Sequence, residues 1–204
     1  MIKNIIFDFG AVLLPIDEDR TWQALEDLGA TGELRKQTRH FHAYETGKLT
    51  SRKFIEKTRP FFFRKKIFAG DLIKAWNAML YHPLEEQKLE LLKKLRRKGY
   101  RLFLLSNTNE MHIKAIRQTA GPFLYRRFTD QFDQVYYSHE IGMRKPEAAL
   151  FKRVLSDHDL KAEESFFIDD KEENVKAAAK LKIRTWHFLP GEDDILDLPE
   201  RLIA

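Results

Sequence analysis

The sequence predicts an α/β fold in which helices flank a parallel, Rossmann-like sheet, because short strand-like runs alternate with longer helical patterns. The strand-like runs are rich in apolar residues and cover residues 3–7, 101–105, 134–137, 165–168 and 183–188. Of the 204 residues, 43% are hydrophobic, which is enough for a buried core.

Two helices of this pattern have clear start signals. Pro83 is predicted to open a leucine-rich helix before the second strand, and Gly99 is predicted to end it. Pro146 is predicted to open a second helix, between the third and fourth strands.

A long insertion, residues 17–82, separates the first strand from the second. An ordinary crossover needs only about 10 to 15 residues. The apolar residues of the insertion recur at helical spacing, and Asp71 is the predicted N-cap of its last helix. We therefore predict a Rossmann-like catalytic core, residues 1–16 and 83–204, and an inserted helical cap domain, residues 17–82.

The composition excludes several kinds of chemistry. There is no cysteine, which excludes disulfides, zinc-thiolate sites and thiol nucleophiles. Lysine and arginine number 36 against 31 aspartates and glutamates, an excess of positive charge that favours anionic ligands only weakly. The apolar run at the N-terminus is too short for a membrane span or a secretion signal, so we expect a soluble, cytoplasmic protein without a membrane partner.

Polar residues follow four of the predicted strands. Asp8 ends the first strand, Ser106 the second and the pair Asp169–Asp170 the fourth, while Lys145 follows the third strand just before a helix. Ligands of open α/β sheets bind beyond the carboxyl ends of the strands. These side chains are therefore predicted to form one site.

In this order, the four positions resemble the four motifs of the haloacid dehalogenase (HAD) superfamily across essentially the whole chain. The insertion after the first motif resembles a C1 cap, a helical bundle that closes over the site. The Asp-x-Gly pattern of Asp8 and Gly10 resembles the branch that includes sugar-1-phosphate phosphatases. The resemblance implies a HAD fold and a Mg²⁺-dependent phosphatase that acts on a small phosphorylated metabolite. We expect a monomer or a homodimer.

The residue types suit this chemistry independently. A carboxylate such as Asp8 can attack phosphorus and split hydrolysis into the formation and breakdown of an aspartyl-phosphate. Mg²⁺ relieves the repulsion between this carboxylate and the phosphate. By resemblance, the metal ligands are Asp8, the Gly10 carbonyl and Asp170, with Asp169 and Asn174 in supporting positions. Which of the two adjacent aspartates touches the metal directly is open at this stage.

The remaining roles concern the phosphate. Lys145 would place a positive charge on the transferring phosphoryl group, and the Ser106 hydroxyl and the Asn107 amide would hydrogen-bond its oxygens. Arg20, just beyond the first motif, is a candidate to reach an anionic substrate from the cap, and Arg59 is a weaker candidate.

Gly10 departs from the pattern of most phosphatases of this superfamily, which have an aspartate acid–base group at this position. A positioned acid–base group contributes about 10² to 10⁴ in rate. The substrate therefore has a good leaving group, such as an anomeric, acyl or aryl phosphate, or the cap supplies an acid, or turnover is slow. The unranked cap candidates are Asp17, Glu18, Asp19, His42 and Glu45.

Three other functions match parts of the sequence. A protein that binds a phosphorylated ligand without turnover is kept open by Gly10. Carbon–halogen cleavage needs no metal, and the Asp169–Asp170 pair argues against it. The aromatic and basic run over residues 61–66 is typical of nucleic-acid binding, but it lacks a recognition motif and is predicted to be cap core with a solvated face.

Overall fold

A five-stranded parallel sheet forms the centre of the molecule, as seen in a computed structural model that describes residues 1–63 and 67–202. The strands are β1 (Asn4–Phe7), β2 (Arg101–Ser106), β3 (Gln134–Tyr137), β4 (Ser165–Asp169) and β5 (Arg184–His187). Their order across the sheet is β3-β2-β1-β4-β5, with every pair parallel. The predicted Rossmann-like α/β fold is confirmed.

Both faces of the sheet are buried, as expected for a parallel sheet covered by helices. Successive residues of β1 alternate between two hydrophobic cores: Ile5 and Phe7 belong to one, and Ile6 belongs to the other. This burial explains why residues 5–7 of the central strand are all apolar.

The sheet register brings the strand ends to one edge. Phe7, the last residue of β1, is paired with Leu104 on one side and Ile168 on the other. Asp8 therefore follows beside Asp169, and its backbone N–H donates to the Ile168 carbonyl at 2.9 Å.

The insertion is helical, as its periodicity predicted. Its helices are α1 (Glu18–Asp27), α2 (Thr38–Glu45), α3 (Ser51–Thr58) and α4 (Ala69–Trp76), with short 3₁₀ turns at Leu34–Lys36 and Arg59–Phe61. The prediction for Asp71 was wrong, because α4 starts two residues earlier and Phe68 is at its N-cap position. Asp71 lies instead in the first turn, where the helix dipole favours a carboxylate.

The helices outside the insertion pack on the two faces of the sheet. They are α5 (Glu86–Arg97), α6 (Glu110–Ala120), α7 (Pro122–Thr129), α8 (Ser138–Ile141), α9 (Ala148–Asp157), α10 (Glu172–Ala179) and α11 (Leu198–Arg201), with 3₁₀ turns at Ala162–Glu164 and Ile195–Asp197. Helices α5 and α9 begin two or three residues later than predicted from Pro83 and Pro146. In the second case residues 144–147 form a turn, in which the Glu147 N–H donates to the Arg144 carbonyl.

A third hydrophobic core holds the insertion together around the fully buried Phe54. The rings of Tyr44 and Trp76 pack on it with centroids 4.2 and 4.7 Å away. Met111, from the first turn of α6, enters this core from outside the insertion. The insertion is thus anchored on α6.

The aromatic run at residues 61–66 is only partly described. Phe62 is buried in the core of the insertion, and Phe63 is exposed. Arg64, Lys65 and Lys66, for which a solvated face was predicted, lie outside the described residues.

Gly47 lies where the insertion touches the rest of the chain. Its φ of 67° is left-handed, and a Cβ added there would be 2.2 Å from the carbonyl oxygen of His139 in α8. We expect Gly47→Ala to lower the free energy of unfolding by about 1–3 kcal/mol, because both the backbone strain and the clash must be relieved. Urea unfolding measures the change.

The matched control is Gly70→Ala, an exposed position in α4 with no heavy atom within 4 Å of the added Cβ. It is expected to stabilise the protein by about 0.5–1 kcal/mol, since alanine favours a helix over glycine. An unchanged stability of Gly47→Ala would contradict the close approach at His139.

Candidate active site

Lys145 is the centre of the polar cluster at the carboxyl edge of the sheet. Its Nζ lies 2.6 Å from Asp8 Oδ1 and 2.6 Å from Asp169 Oδ2. The lysine side chain is 1% exposed and that of Asp169 is fully buried. A lysine and aspartates are rarely buried to this extent unless they are paired, and here each has a partner.

Asn107 holds the backbone of Lys145 in place. Its Nδ2 donates to the Lys145 carbonyl at 2.9 Å, and its Oδ1 accepts from the Lys145 N–H at 2.8 Å. Both ends of the side-chain amide are therefore engaged. The second Nδ2 hydrogen and the backbone N–H of Asn107 are the donors left for a phosphate.

Asp169 is fixed from the other side by the start of α10. Its Oδ1 accepts from the Lys171 N–H and from Asn174 Nδ2, both at 2.8 Å. Since Oδ2 receives Lys145, each oxygen of Asp169 already has a protein partner. The Asn174 Oδ1 is buried and has no hydrogen-bond partner among the residues that the structure describes.

Negative charge exceeds positive charge in this cluster. Burial raises the pKa of Asp8 to about 7 against the opposing effect of Lys145, and the charge of Asp169 raises it further. Burial also raises the pKa of Asp170. Burial alone would lower the pKa of Lys145, but the charges of Asp169 and Asp8 outweigh it and raise that pKa.

Three carboxylates of the cluster are close enough to share one cation. Oxygen atoms of Asp8, Asp169 and Asp170 all lie within 4.8 Å of one another. Lys145 neutralises one of these charges, and Lys171, 3.6 Å from Asp170, is shared with Glu18. Oxygen ligands are those that Mg²⁺ prefers. The unpartnered Asn174 Oδ1 is a further acceptor that a hydrated cation would satisfy. The residues present therefore fit a magnesium ion.

A cavity of about 350 Å³ opens above this cluster. The sheet side of the cavity includes Asp8, Gly10, Ser106, Asn107, Lys145 and Asp170. The insertion closes it from the opposite side with Glu18, Thr21, Trp22, Phe41, Glu45, Trp76, Met79 and Leu80. This volume lies in the range of small-molecule sites.

The structure brings together most of the residues that the sequence singled out, but not the two arginines of the insertion. Arg20 is exposed, its guanidinium lies 5.0 Å from the centroid of the Tyr81 ring, and it is not among the residues that line the cavity. Arg59 does not line the cavity either. Among the five candidate acids of the insertion, Glu18 and Glu45 line it.

His112 lines the cavity and was not predicted. Its Nδ1 accepts from Asn109 Nδ2 at 3.1 Å, and its Nε2–H donates to the Trp76 carbonyl at 3.2 Å, a tautomer assigned from these partners. Burial lowers the pKa of His112 to about 4. The imidazole is thus neutral near pH 7, and it links α6 to the insertion.

The other residues that the sequence reasoning missed are Arg144 and Trp76, both of which line the cavity. Arg144 immediately precedes Lys145, and this adjacency was the available signal. For Trp76 and His112, helical periodicity indicated at most a buried face, and no motif marked them.

The chain matches the family model described as haloacid dehalogenase-like hydrolase over residues 2–182. It is 31% identical over 198 residues to a D-ribitol-5-phosphate phosphatase of Bacteroides thetaiotaomicron, with 95% of each chain covered.

Two solved structures are similar over nearly the whole chain. A HAD family enzyme of B. thetaiotaomicron, solved with magnesium and inorganic phosphate, has a TM-score of 0.83 at 36% identity, covering 95% of this chain and 97% of that one. A predicted HAD-like family hydrolase of Porphyromonas gingivalis has a TM-score of 0.85 at 28% identity, covering 100% and 98%. Among the described residues of the present chain, no helix is both long and apolar enough to span a membrane.

Proposed function

Because this chain is a phosphatase of the haloacid dehalogenase-like hydrolase family, we propose that it hydrolyses a small phosphorylated metabolite through an aspartyl-phosphate on Asp8. The observation that carries the proposal is the placement of Lys145 between Asp8 and Asp169, at the floor of the cavity. This arrangement offers a nucleophile and a cation to one phosphate group.

The proposed reaction has two steps. An oxygen of Asp8 forms a bond to phosphorus while the bond between phosphorus and the leaving alcohol breaks. Water then attacks the phosphorus of the aspartyl-phosphate, the bond to Asp8 breaks and inorganic phosphate leaves. Lys145 holds a positive charge beside the phosphoryl oxygens, and the Ser106 hydroxyl and the Asn107 backbone N–H donate hydrogen bonds to them.

We assign the magnesium ligands to Asp8, the Gly10 carbonyl and Asp170, with Asp169 and Asn174 in support. Asp170 is favoured over Asp169 because it lines the cavity, whereas both oxygens of Asp169 are engaged by protein groups. The bound cation would offset the repulsion between Asp8 and the anionic substrate.

We propose that residues 17–82 are the cap domain of this enzyme and that residues 1–16 and 83–204 are its catalytic core. The separate hydrophobic core around Phe54 and the aromatic side chains above the cavity support this division. A cap that covers the site excludes water from the reacting groups.

For the substrate we propose a sugar-alcohol phosphate or an anomeric sugar phosphate, and a different observation supports each alternative. The relative with 31% identity is a D-ribitol-5-phosphate phosphatase. Gly10 offers no acid for the leaving alcohol, which favours an anomeric phosphate with its good leaving group.

The experiment is phosphate release from glucose 1-phosphate, glucose 6-phosphate, ribitol 5-phosphate, acetyl phosphate and para-nitrophenyl phosphate, with and without Mg²⁺. We expect Mg²⁺-dependent turnover that Asp8→Asn abolishes. Faster cleavage of the anomeric, acyl and aryl esters would support the leaving-group argument, and equal rates would assign the acid to the cap. No turnover of any ester would favour a ligand-binding protein instead.

A further inference from the structure

One ion pair joins the insertion to the core at the wall of the cavity. Arg144 Nε donates to Glu45 Oε2 at 3.0 Å, across 99 positions of sequence. The side chains are 19% and 26% exposed, so the pair is largely withdrawn from water. Arg144 also directly precedes Lys145.

Other polar atoms of this pair can still bind a ligand. Within residues 1–63 and 67–202, the two Nη groups of Arg144 and the second carboxylate oxygen of Glu45 have no hydrogen-bond partner. Half-buried groups of this kind bind water or a ligand, because leaving them unpaired is costly. Both residues line the same cavity as Asp8 and Lys145.

The charge of the pair indicates the kind of ligand. A carboxylate accepts hydrogen bonds and a guanidinium donates them, while the net charge of the pair is zero. Neighbouring hydroxyl groups, each both donor and acceptor, match this pattern better than a second phosphate or carboxylate would. Arg144 alone would favour an anion, but Glu45 neutralises it.

The rest of the wall fits a compact polyhydroxylated body. Trp22, Phe41 and Trp76 offer apolar ring surface to C–H groups.

We infer that Glu45 and Arg144 determine substrate specificity by binding hydroxyl groups of the phosphorylated substrate. The inference rests on the proposed phosphatase function and adds the residues that recognise the substrate, an uncharged polyol body that carries a single phosphate. It assigns Glu45 to recognition, since one of its carboxylate oxygens is already held by Arg144 Nε at 3.0 Å at the wall of the cavity.

The test compares ribitol 5-phosphate with n-pentyl phosphate, which has the same carbon chain and leaving-group position but no hydroxyl groups. Steady-state kinetics are measured for wild type, Glu45→Gln and Arg144→Lys, with para-nitrophenyl phosphate as a third ester. The control is Glu56→Gln, which removes an exposed glutamate paired with Arg52 in the insertion, away from the cavity.

We expect wild type to prefer ribitol 5-phosphate over n-pentyl phosphate. Each variant should raise the KM for ribitol 5-phosphate roughly tenfold or more, while kcat/KM for the other two esters changes less than about twofold. Inorganic phosphate should bind all variants equally, as measured by calorimetry. Glu56→Gln should behave as wild type.

The inference would be overturned if the variants lost kcat/KM equally on all three esters or changed it on none. It would also be overturned if wild type did not prefer ribitol 5-phosphate over n-pentyl phosphate. The proposed phosphatase function would stand in each case. Absence of phosphate release from every ester would overturn the proposed function, and this inference with it.

Discussion

Replacing Lys145 by methionine is expected to lower phosphatase turnover roughly a thousandfold, because it removes the cation beside the transferring phosphoryl group. It is also expected to lower the free energy of unfolding by about 3–5 kcal/mol without Mg²⁺, as for other buried ion pairs that lose one partner. Methionine fills a similar volume, so the loss comes from Asp8 and Asp169, which would face each other without the lysine between them. Urea unfolding and phosphate release measure the two effects.

Added Mg²⁺ should restore part of the stability of this variant, and more than it adds to wild type, because the cation replaces the lost positive charge. It should not restore turnover. The control is Lys176→Met in α10, whose side chain is 65% exposed and paired with Glu172. Unfolding of Lys145→Met at the wild-type urea concentration, without Mg²⁺, would show that the buried carboxylates do not repel as described.

Introducing an aspartate at Gly10 is expected to accelerate cleavage of alkyl phosphates by up to about 10²-fold, since it supplies the missing acid–base group. A Cβ at this position would be 2.8 Å from Ile16 Cδ1 and 3.7 Å from Ile16 Cγ1. The first contact is too close and the second is ordinary. The double variant Gly10→Asp/Ile16→Val removes the obstructing methyl group and keeps the rest of the side chain.

The readout is the ratio of kcat/KM for glucose 6-phosphate to that for para-nitrophenyl phosphate, measured beside Ile16→Val alone. Only the alkyl ester needs its leaving group protonated, so the ratio should rise in the double variant and stay constant in the control. A constant ratio in both would mean that another group already supplies the proton.

The strands, and the edge of the sheet that carries the site, could be predicted from the sequence because both depend on local patterns of residues. Each buried parallel strand needs an apolar run, and the residue that ends such a run must emerge at the carboxyl edge of the sheet. Asp8, Ser106 and Asp169 were identified in this way, and the structure places all three at the carboxyl ends of β1, β2 and β4.

Contacts between the insertion and the core could not be predicted, because they depend on how two folded units dock. Nothing local relates Glu45 to Arg144, or Trp76 to His112. For the same reason Arg20 could be placed near the first motif in sequence while its side chain lies over Tyr81. The double hydrogen bond between Asn107 and Lys145 likewise joins two loops that are distant in sequence.

Met111 sets a limit on how freely the insertion can move. Its side chain is 5% exposed within a hydrophobic core made otherwise of insertion residues. Drawing it out into water would cost about 1.5–3 kcal/mol. By this cost alone, a state opened in this way would be populated by at most roughly one molecule in ten. A ligand that entered only through this state would bind with its intrinsic affinity reduced by that fraction, and a smaller side chain at position 111 would raise the population of the open state.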